Sequence, residues 1–145
     1  MRKGLDHIGV GVGGVITRNN GMEVLLLLRK KSPEKNCWTI PGGSVEIGET
    51  LSSAISREAY EELGVKVDVV RLLRVTDHIV VEEGVHWVSP AFELHITEGE
   101  PNNIEVDSHE KIQWFDIKKL PENITITTKK AIESLVIRSE KIVYD

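Results

Sequence analysis

Glu58, Glu61 and Glu62 stand at i, i+3 and i+4 of one short stretch bounded by Thr50 and Gly64, and in a helix those spacings bring side chains together on one side. Leu51, Ile55, Ala59 and Leu63 recur at every fourth position of the same stretch, which predicts a helix with an apolar stripe to bury. Thr50 is placed to cap its first turn, and Gly64 to end it. Glu58 and Glu62 fall at the edge of the stripe, so half-burial is expected of both. A like-charged i,i+4 pair costs an isolated helix roughly 0.2–0.5 kcal/mol, and the residue four beyond Glu58 is Glu62 rather than a lysine. Something positive is missing. A solvated acidic face is the ordinary reading of a glutamate-rich run, but a carboxylate withdrawn from water needs a partner, hydrogen bonds or a metal. Mg²⁺ meets that need, since it is held by a few carboxylates together with waters and phosphates.

The residues before the helix bear on the same point. Trp38-Thr39-Ile40-Pro41-Gly42-Gly43 reads as a short apolar strand ending in a Pro-Gly-Gly turn. Glycine lets backbone approach a ligand where a Cβ would clash. The Gly42 carbonyl is therefore available to a cation, the other reading being a plain turn.

Gly43, Glu49, Arg57-Glu58-Ala59-Tyr60-Glu61-Glu62-Leu63-Gly64-Val65 resembles the complete Nudix box, with Ala59 and Val65 at its apolar positions and no fixed position lost. More weakly, the Trp38–Gly43 segment, Arg29 at the close of an apolar strand, and Trp114-Phe115 followed by Leu120-Pro121 are similar to the family's layout. The resemblance implies an α/β/α sandwich around a mixed β-sheet, in one domain over residues 1–145. It also implies hydrolysis of a pyrophosphate linkage in a nucleoside diphosphate joined to another group, with Mg²⁺ or Mn²⁺ as cofactor. Under it Glu58, Glu61 and Glu62 are metal ligands, the Gly42 carbonyl completes the shell, and Arg57 with Glu49 forms the ion pair that orients the helix. The proton acceptor varies within the family between a box glutamate and an acid on a later loop. Glu105, Asp107 and Glu110 are the later candidates here, and Glu110 stands with the catalytic set.

Composition narrows the partners. A net charge of −5 over 145 residues and a pI near 5.6 oppose general affinity for nucleic acid polymers or anionic membranes, which requires basic patches. A single nucleotide is the expected small-molecule partner, and a homodimer is allowed. Cys37 is the only cysteine, so an internal disulfide and a zinc cluster are both excluded, and a reducing cytoplasm is expected. His7 to Ile16 alternates with glycines and lacks a small-residue cleavage site, which suits a strand better than a leader. Val24 to Leu28 is the longest apolar run, far short of a membrane span.

Along the chain, Ile8, Val10, Val12 and Ile16 keep the period of a strand, and Asn19-Asn20-Gly21 marks a turn. Met22–Lys31 predicts a central strand, Ser32–Asn36 a polar loop, and Val65–Val75 another strand. Val85–Ile96 is a strand with Pro90 at a bulge or edge, and Thr97–Ser108 is a polar loop. Lys111–Phe115 is a short strand, Asp116–Leu120 a helical turn, and Thr128 to about Ile142 a terminal helix. Gly9, Gly11 and Gly14 match a dinucleotide fingerprint, but no strand precedes them and no helix follows. Gly42-Gly43-Ser44-Val45-Glu46 lacks the closing glycine of a nucleophile elbow. The five histidines show no metal spacing, and each reads as structural or exposed.

Where relatives acting on ADP-ribose carry a proline beyond the box, this chain has Val80. That favours a nucleoside triphosphate, modified or not, cleaved to monophosphate and pyrophosphate; ADP-ribose or a nucleotide sugar is the alternative. Trp87 and Phe92 are candidates to stack on the base, core packing being the competing role of each, and Arg29 is a candidate to reach a phosphate. From a different class, a non-catalytic nucleotide sensor on the same fold is the other reading. Retention of every box glutamate favours the enzyme.

Overall fold

The computed structural model describes residues 2–137 and, as backbone, 143–144. Its strands are β1 (Gly9–Arg18), β2 (Glu23–Arg29), β3 (Trp38–Thr39), β4 (Gly42–Ser44), β5 (Lys66–Val80), β6 (Val85–Glu98), β7 (His109–Asp116) and β8 (Val143–Tyr144). Helix α1 (Leu51–Leu63) follows β4, and α2 (Ile126–Ile137) follows β7. One mixed sheet runs β3-β2-β1-β6-β5-β8, with β4 added to β1 and β7 to β2. The β1–β6 and β5–β8 pairs are parallel, and the rest antiparallel.

The sheet lies between the two helices because its central strands are apolar on both faces, as strands covered on both sides must be. Leu25 and Leu27 of β2 pack with Ile55, Ala59 and Leu63 of α1. Their neighbours Val24 and Leu26 face Ala131, Ile132 and Leu135 of α2. The expected α/β/α sandwich is thus present. The Thr50 hydroxyl accepts from Ser53 N at 3.1 Å, and Gly64 ends α1 at φ 72°, as its sequence predicts.

β1 and β2 pair only at Thr17↔Val24 and Arg18↔Glu23, and then diverge. Residues 38–44 fill the opening, pairing first with β2 as β3 and then with β1 as β4. Between them the Pro41 carbonyl accepts from Gly14 N at 2.9 Å. This crossover brings the Pro-Gly-Gly bend over the middle of the sheet, against α1.

Several boundaries differ from expectation. β5 runs on to Val80 because its ladder with β6 continues to Val80↔Val85. β7 begins at His109, paired with Arg29. Pro90 is not on an edge strand; it lies in central β6, where the ladder to β1 is interrupted between Val10↔Val88 and Gly13↔Ala91, next to a bulge in β5 between Leu72 and Arg74. Asp116–Leu120 is a turn closed by Lys119 N on the Asp116 carbonyl at 2.9 Å. α2 starts two residues early, and the predicted extension over residues 138–142 lies outside the described residues.

Candidate functional site

Arg57 organises the acidic helix. Its Nε donates to Glu49 Oε2 at 2.7 Å and its Nη2 to Glu49 Oε1 at 2.9 Å, while Nη2 also reaches the Ser44 carbonyl at 3.1 Å. Its Nη1 donates to Glu58 Oε1 at 3.0 Å and Glu61 Oε2 at 3.2 Å. The charge that the i,i+4 count found missing is therefore partly supplied from within, by a residue adjacent to Glu58. Hydrogen bonds from Arg57 hold the Glu49 carboxyl at about 2.

Glu62 is different. It is 3% exposed, the Gly42 N–H donates to its Oε1 at 2.9 Å, and its ion pair among the described residues is with the imidazole of His109. Burial pushes its carboxyl up to about 9, against the Gly42 hydrogen bond and with help from the charges of Glu58 and Glu105. Burial also raises Glu58, with Arg57 opposing. Glu58 fills the space over Gly43, where a Cβ would overlap its carboxylate. A Cβ on Gly42 would strike the Val12 backbone carbonyl, so close approach requires glycine there.

Among the predicted ligands, Glu58 accepts from Arg57 through Oε1 and stays in hydrogen-bonding contact with Glu62, while Glu61 turns to Arg57. Glu62, Glu105 and His109 are described residues whose donor atoms lie within 4.8 Å of one another. His109 Nε2 is 3.8 Å from Glu62 Oε2. Burial and then the charge of Arg29 hold this imidazole down at about 4, so it is neutral at neutral pH. Glu110 is displaced from the catalytic set: it follows inward-facing His109 on β7 and is exposed, because successive strand residues point to opposite faces. Glu105 is the later acid that reaches the cluster. His109 escaped sequence reasoning because its partners are distant in the chain; its only local signal was its place at the start of a strand.

An open cleft of about 360 Å³ runs from Glu62 and His109 past Gly42 and Gly43 to Trp87, with Arg29 and His78 on its walls. Gly11 and Gly13 form part of its floor. Gly9 and Gly11 belong to the same face, and the Trp87 ring lies over both. The glycine pattern of β1 thus clears a surface for an aromatic ring and a cleft. Phe92 cannot serve as a stacking platform: it has the opposite strand parity, is 7% exposed and packs with α1. Arg29 donates Nε to the Pro33 carbonyl at 2.8 Å, which fixes its guanidinium at the cleft wall.

A larger cleft of about 860 Å³ at the Asn20-Gly21 end is less suited to chemistry. Its buried acid, Glu93, is already matched by Arg71 Nε at 2.9 Å, His95 Nε2 at 3.2 Å and the Thr17 hydroxyl at 3.3 Å.

The first cleft fits a divalent cation. Its donors are hard carboxylate oxygens with one imidazole, and the Glu62 carboxylate is buried among acids beside an imidazole that is neutral at neutral pH, a state that a cation compensates.

These features define a partly buried cluster of donors suited to a cation, beside a cleft in an α/β/α protein. The NUDIX domain model matches residues 7–135. An ADP-ribose pyrophosphatase from Methanocaldococcus jannaschii is 36% identical over 79% of this chain and 66% of its own length. The mouse 8-oxo-dGDP phosphatase NUDT18 is 31% identical over 71% of this chain and 31% of its own. The crystal structure of a MutT NUDIX hydrolase from Burkholderia pseudomallei superposes with a TM-score of 0.84 at 41% identity, over 88% of this chain and 98% of that one. The chain belongs to the Nudix family. It spans about two thirds of the archaeal relative's length and less than a third of the mouse protein's.

Proposed function

We propose that the protein is a cation-dependent hydrolase of a pyrophosphate bond in a nucleoside diphosphate derivative, acting on a small nucleotide rather than a nucleic acid polymer. The observation that carries this reading is Glu62, a buried carboxylate facing Glu105 and a neutral His109 at the mouth of a cleft. Glu58, Glu61 and Glu62 are proposed ligands of Mg²⁺ or Mn²⁺, with the Gly42 carbonyl alongside. The bound ion would neutralise phosphate oxygens and acidify the attacking water.

In the reaction, a water oxygen forms a new bond to phosphorus as the bridging P–O bond breaks. Glu105, the later-loop acid nearest Glu62, is the proposed acceptor of the water's proton. Arg57, tied to Glu49, holds Glu58 and Glu61 in position, and Arg29 lies where it can meet a phosphate. Trp87 offers an aromatic face to the base over the glycine floor of β1.

A nucleoside triphosphate, modified or not, is the preferred substrate, because Val80 stands where relatives acting on ADP-ribose carry a proline. The archaeal relative named as an ADP-ribose pyrophosphatase favours the alternative, ADP-ribose or a nucleotide sugar. A cytoplasmic setting suits the lone Cys37. Purified protein incubated with triphosphates, ADP-ribose and nucleotide sugars, each with and without Mg²⁺ or Mn²⁺, tests all of this. Release of pyrophosphate from a triphosphate is expected. Binding without turnover on every compound would instead make the protein a nucleotide sensor. Sedimentation of the same preparation tests the homodimer.

A further inference from the structure

We propose that His109 contributes an imidazole nitrogen to a cation shared with Glu62 and Glu105, making a mixed nitrogen and oxygen site that prefers a first-row transition ion to Mg²⁺. The inference rests on the cation-dependent reading above and specifies the ion it involves.

His109 is 7% exposed, and its Nδ1 is buried without a partner. Its Nε2 stands 3.8 Å from Glu62 Oε2, beyond hydrogen-bond range. Leaving a buried polar group unmatched is unfavourable, and an ion between Nε2 and Glu62 Oε2 would give the ring a partner on the side that faces the acids. The spacing leaves room for one ion: His109 Nε2 is 3.8 Å from Glu62 Oε2, and the donor atoms of Glu62, Glu105 and His109 lie within 4.8 Å of one another.

The two oxygens of Glu62 divide the work. Oε1 is engaged by the Gly42 N–H at 2.9 Å, which leaves Oε2 turned to the imidazole. β7 makes the placement rigid, since His109 is held in register with Arg29 on β2, while Glu105 arrives from the preceding loop. The Ser108 and His109 amides both donate to the Glu105 carbonyl at 3.0 Å, so loop and strand start are joined. Mg²⁺ takes oxygen donors, whereas imidazole adds affinity for the ions toward cobalt, nickel and zinc. A nitrogen in the set therefore shifts preference away from Mg²⁺.

Pulsed EPR of the full-length protein loaded with one equivalent of Mn²⁺ reads the nitrogen directly. Modulation from ¹⁴N is expected in the wild type and should vanish in His109→Gln. Calorimetric titration should show His109→Gln weakening Co²⁺ binding about tenfold or more, the scale on which changes around a metal site act, while Mg²⁺ binding changes much less. Circular dichroism in chelator checks that the variant folds; should it not, the wild-type EPR result decides. Mn²⁺ bound without nitrogen modulation, or an unchanged Co²⁺ to Mg²⁺ preference in a folded variant, overturns the proposal and leaves cation-dependent hydrolysis standing. Failure of the wild type to bind either ion, with substrate present or absent, overturns both.

Discussion

Arg57 grips Glu49 with two parallel hydrogen bonds, at 2.7 and 2.9 Å, across the loop that leads into α1. The same guanidinium reaches Glu58 and Glu61, so the geometry of the acid cluster depends on a pair to one side of it. Planar fork-to-fork pairing is beyond a lysine's reach. Arg57→Lys and Glu49→Gln should each lower kcat by about 10- to 100-fold, the scale seen when groups that orient metal ligands are removed. Steady-state kinetics on the best substrate checks this, and an unchanged kcat in both variants would remove the pair from the mechanism.

Glu62 links stability to pH. Its folded pKa, about 9, is above the ordinary carboxylate value, so between the two the folded state binds the extra proton and stability falls as pH rises. His109, held at about 4, acts oppositely: the unfolded state is the better protonated between about 4 and 6.5, and stability rises there. Above pH 6.5 the His109 effect is spent and the Glu62 effect remains. Metal-free protein should therefore lose stability from pH 6.5 to 9, and Glu62→Gln should flatten that slope while cutting turnover by orders of magnitude. Chemical denaturation in chelator across that range checks the slope. Near-normal turnover in Glu62→Gln would refute its role.

Cation binding should reverse the trend. An ion at ten times its Kd adds about 1.4 kcal/mol to the folded state, worth several degrees in Tm for a chain of this size. The increase should be larger at pH 8 than at pH 6, because the ion competes with the proton on Glu62. Thermal unfolding with Mg²⁺ or Mn²⁺ at both pH values measures it, and equal shifts would argue against Glu62 as the ligand.

The two glycines of the bend should fail differently. Gly43→Ala meets the Glu58 carboxylate, the free end of a side chain, which can move aside. Activity should fall about 10- to 100-fold with little change in Tm. Gly42→Ala meets the backbone carbonyl of Val12, which cannot move without breaking the sheet, so Tm itself should drop. Paired kinetics and calorimetry separate the cases.

Trp87 and Phe92 provide a matched contrast. Trp87→Ala should raise KM by about 10- to 100-fold, as expected from losing a base-stacking face worth roughly 1–3 kcal/mol, with kcat less affected. Phe92→Ala should instead destabilise the fold by about 3–5 kcal/mol, read from the denaturation midpoint. A KM change confined to the Phe92 variant would reverse their roles.

Local geometry made part of the site legible from sequence. A helix fixes its neighbours at i, i+3 and i+4, so the run from Thr50 to Gly64 carried its own cap, buried stripe, acid cluster and terminus. The bend before it was readable because only glycine tolerates such close approach. The unbroken apolar run of β2 likewise placed a central strand.

What the chain order could not carry was which distant strand positions meet. His109 faces Glu62 because β7 is in register with β2. Glu105 arrives with the loop before it, while Glu110, one residue past His109, is turned outward by strand alternation. Trp87 and Phe92 look equivalent in sequence, yet their parity against β1 sends one over a glycine floor and the other into the core. The sequence by itself determined the acidic helix, because its contacts are made within one or two turns. Only the tertiary structure decided what stands opposite that helix, because strand register is set by long-range pairing and by which face the core must cover.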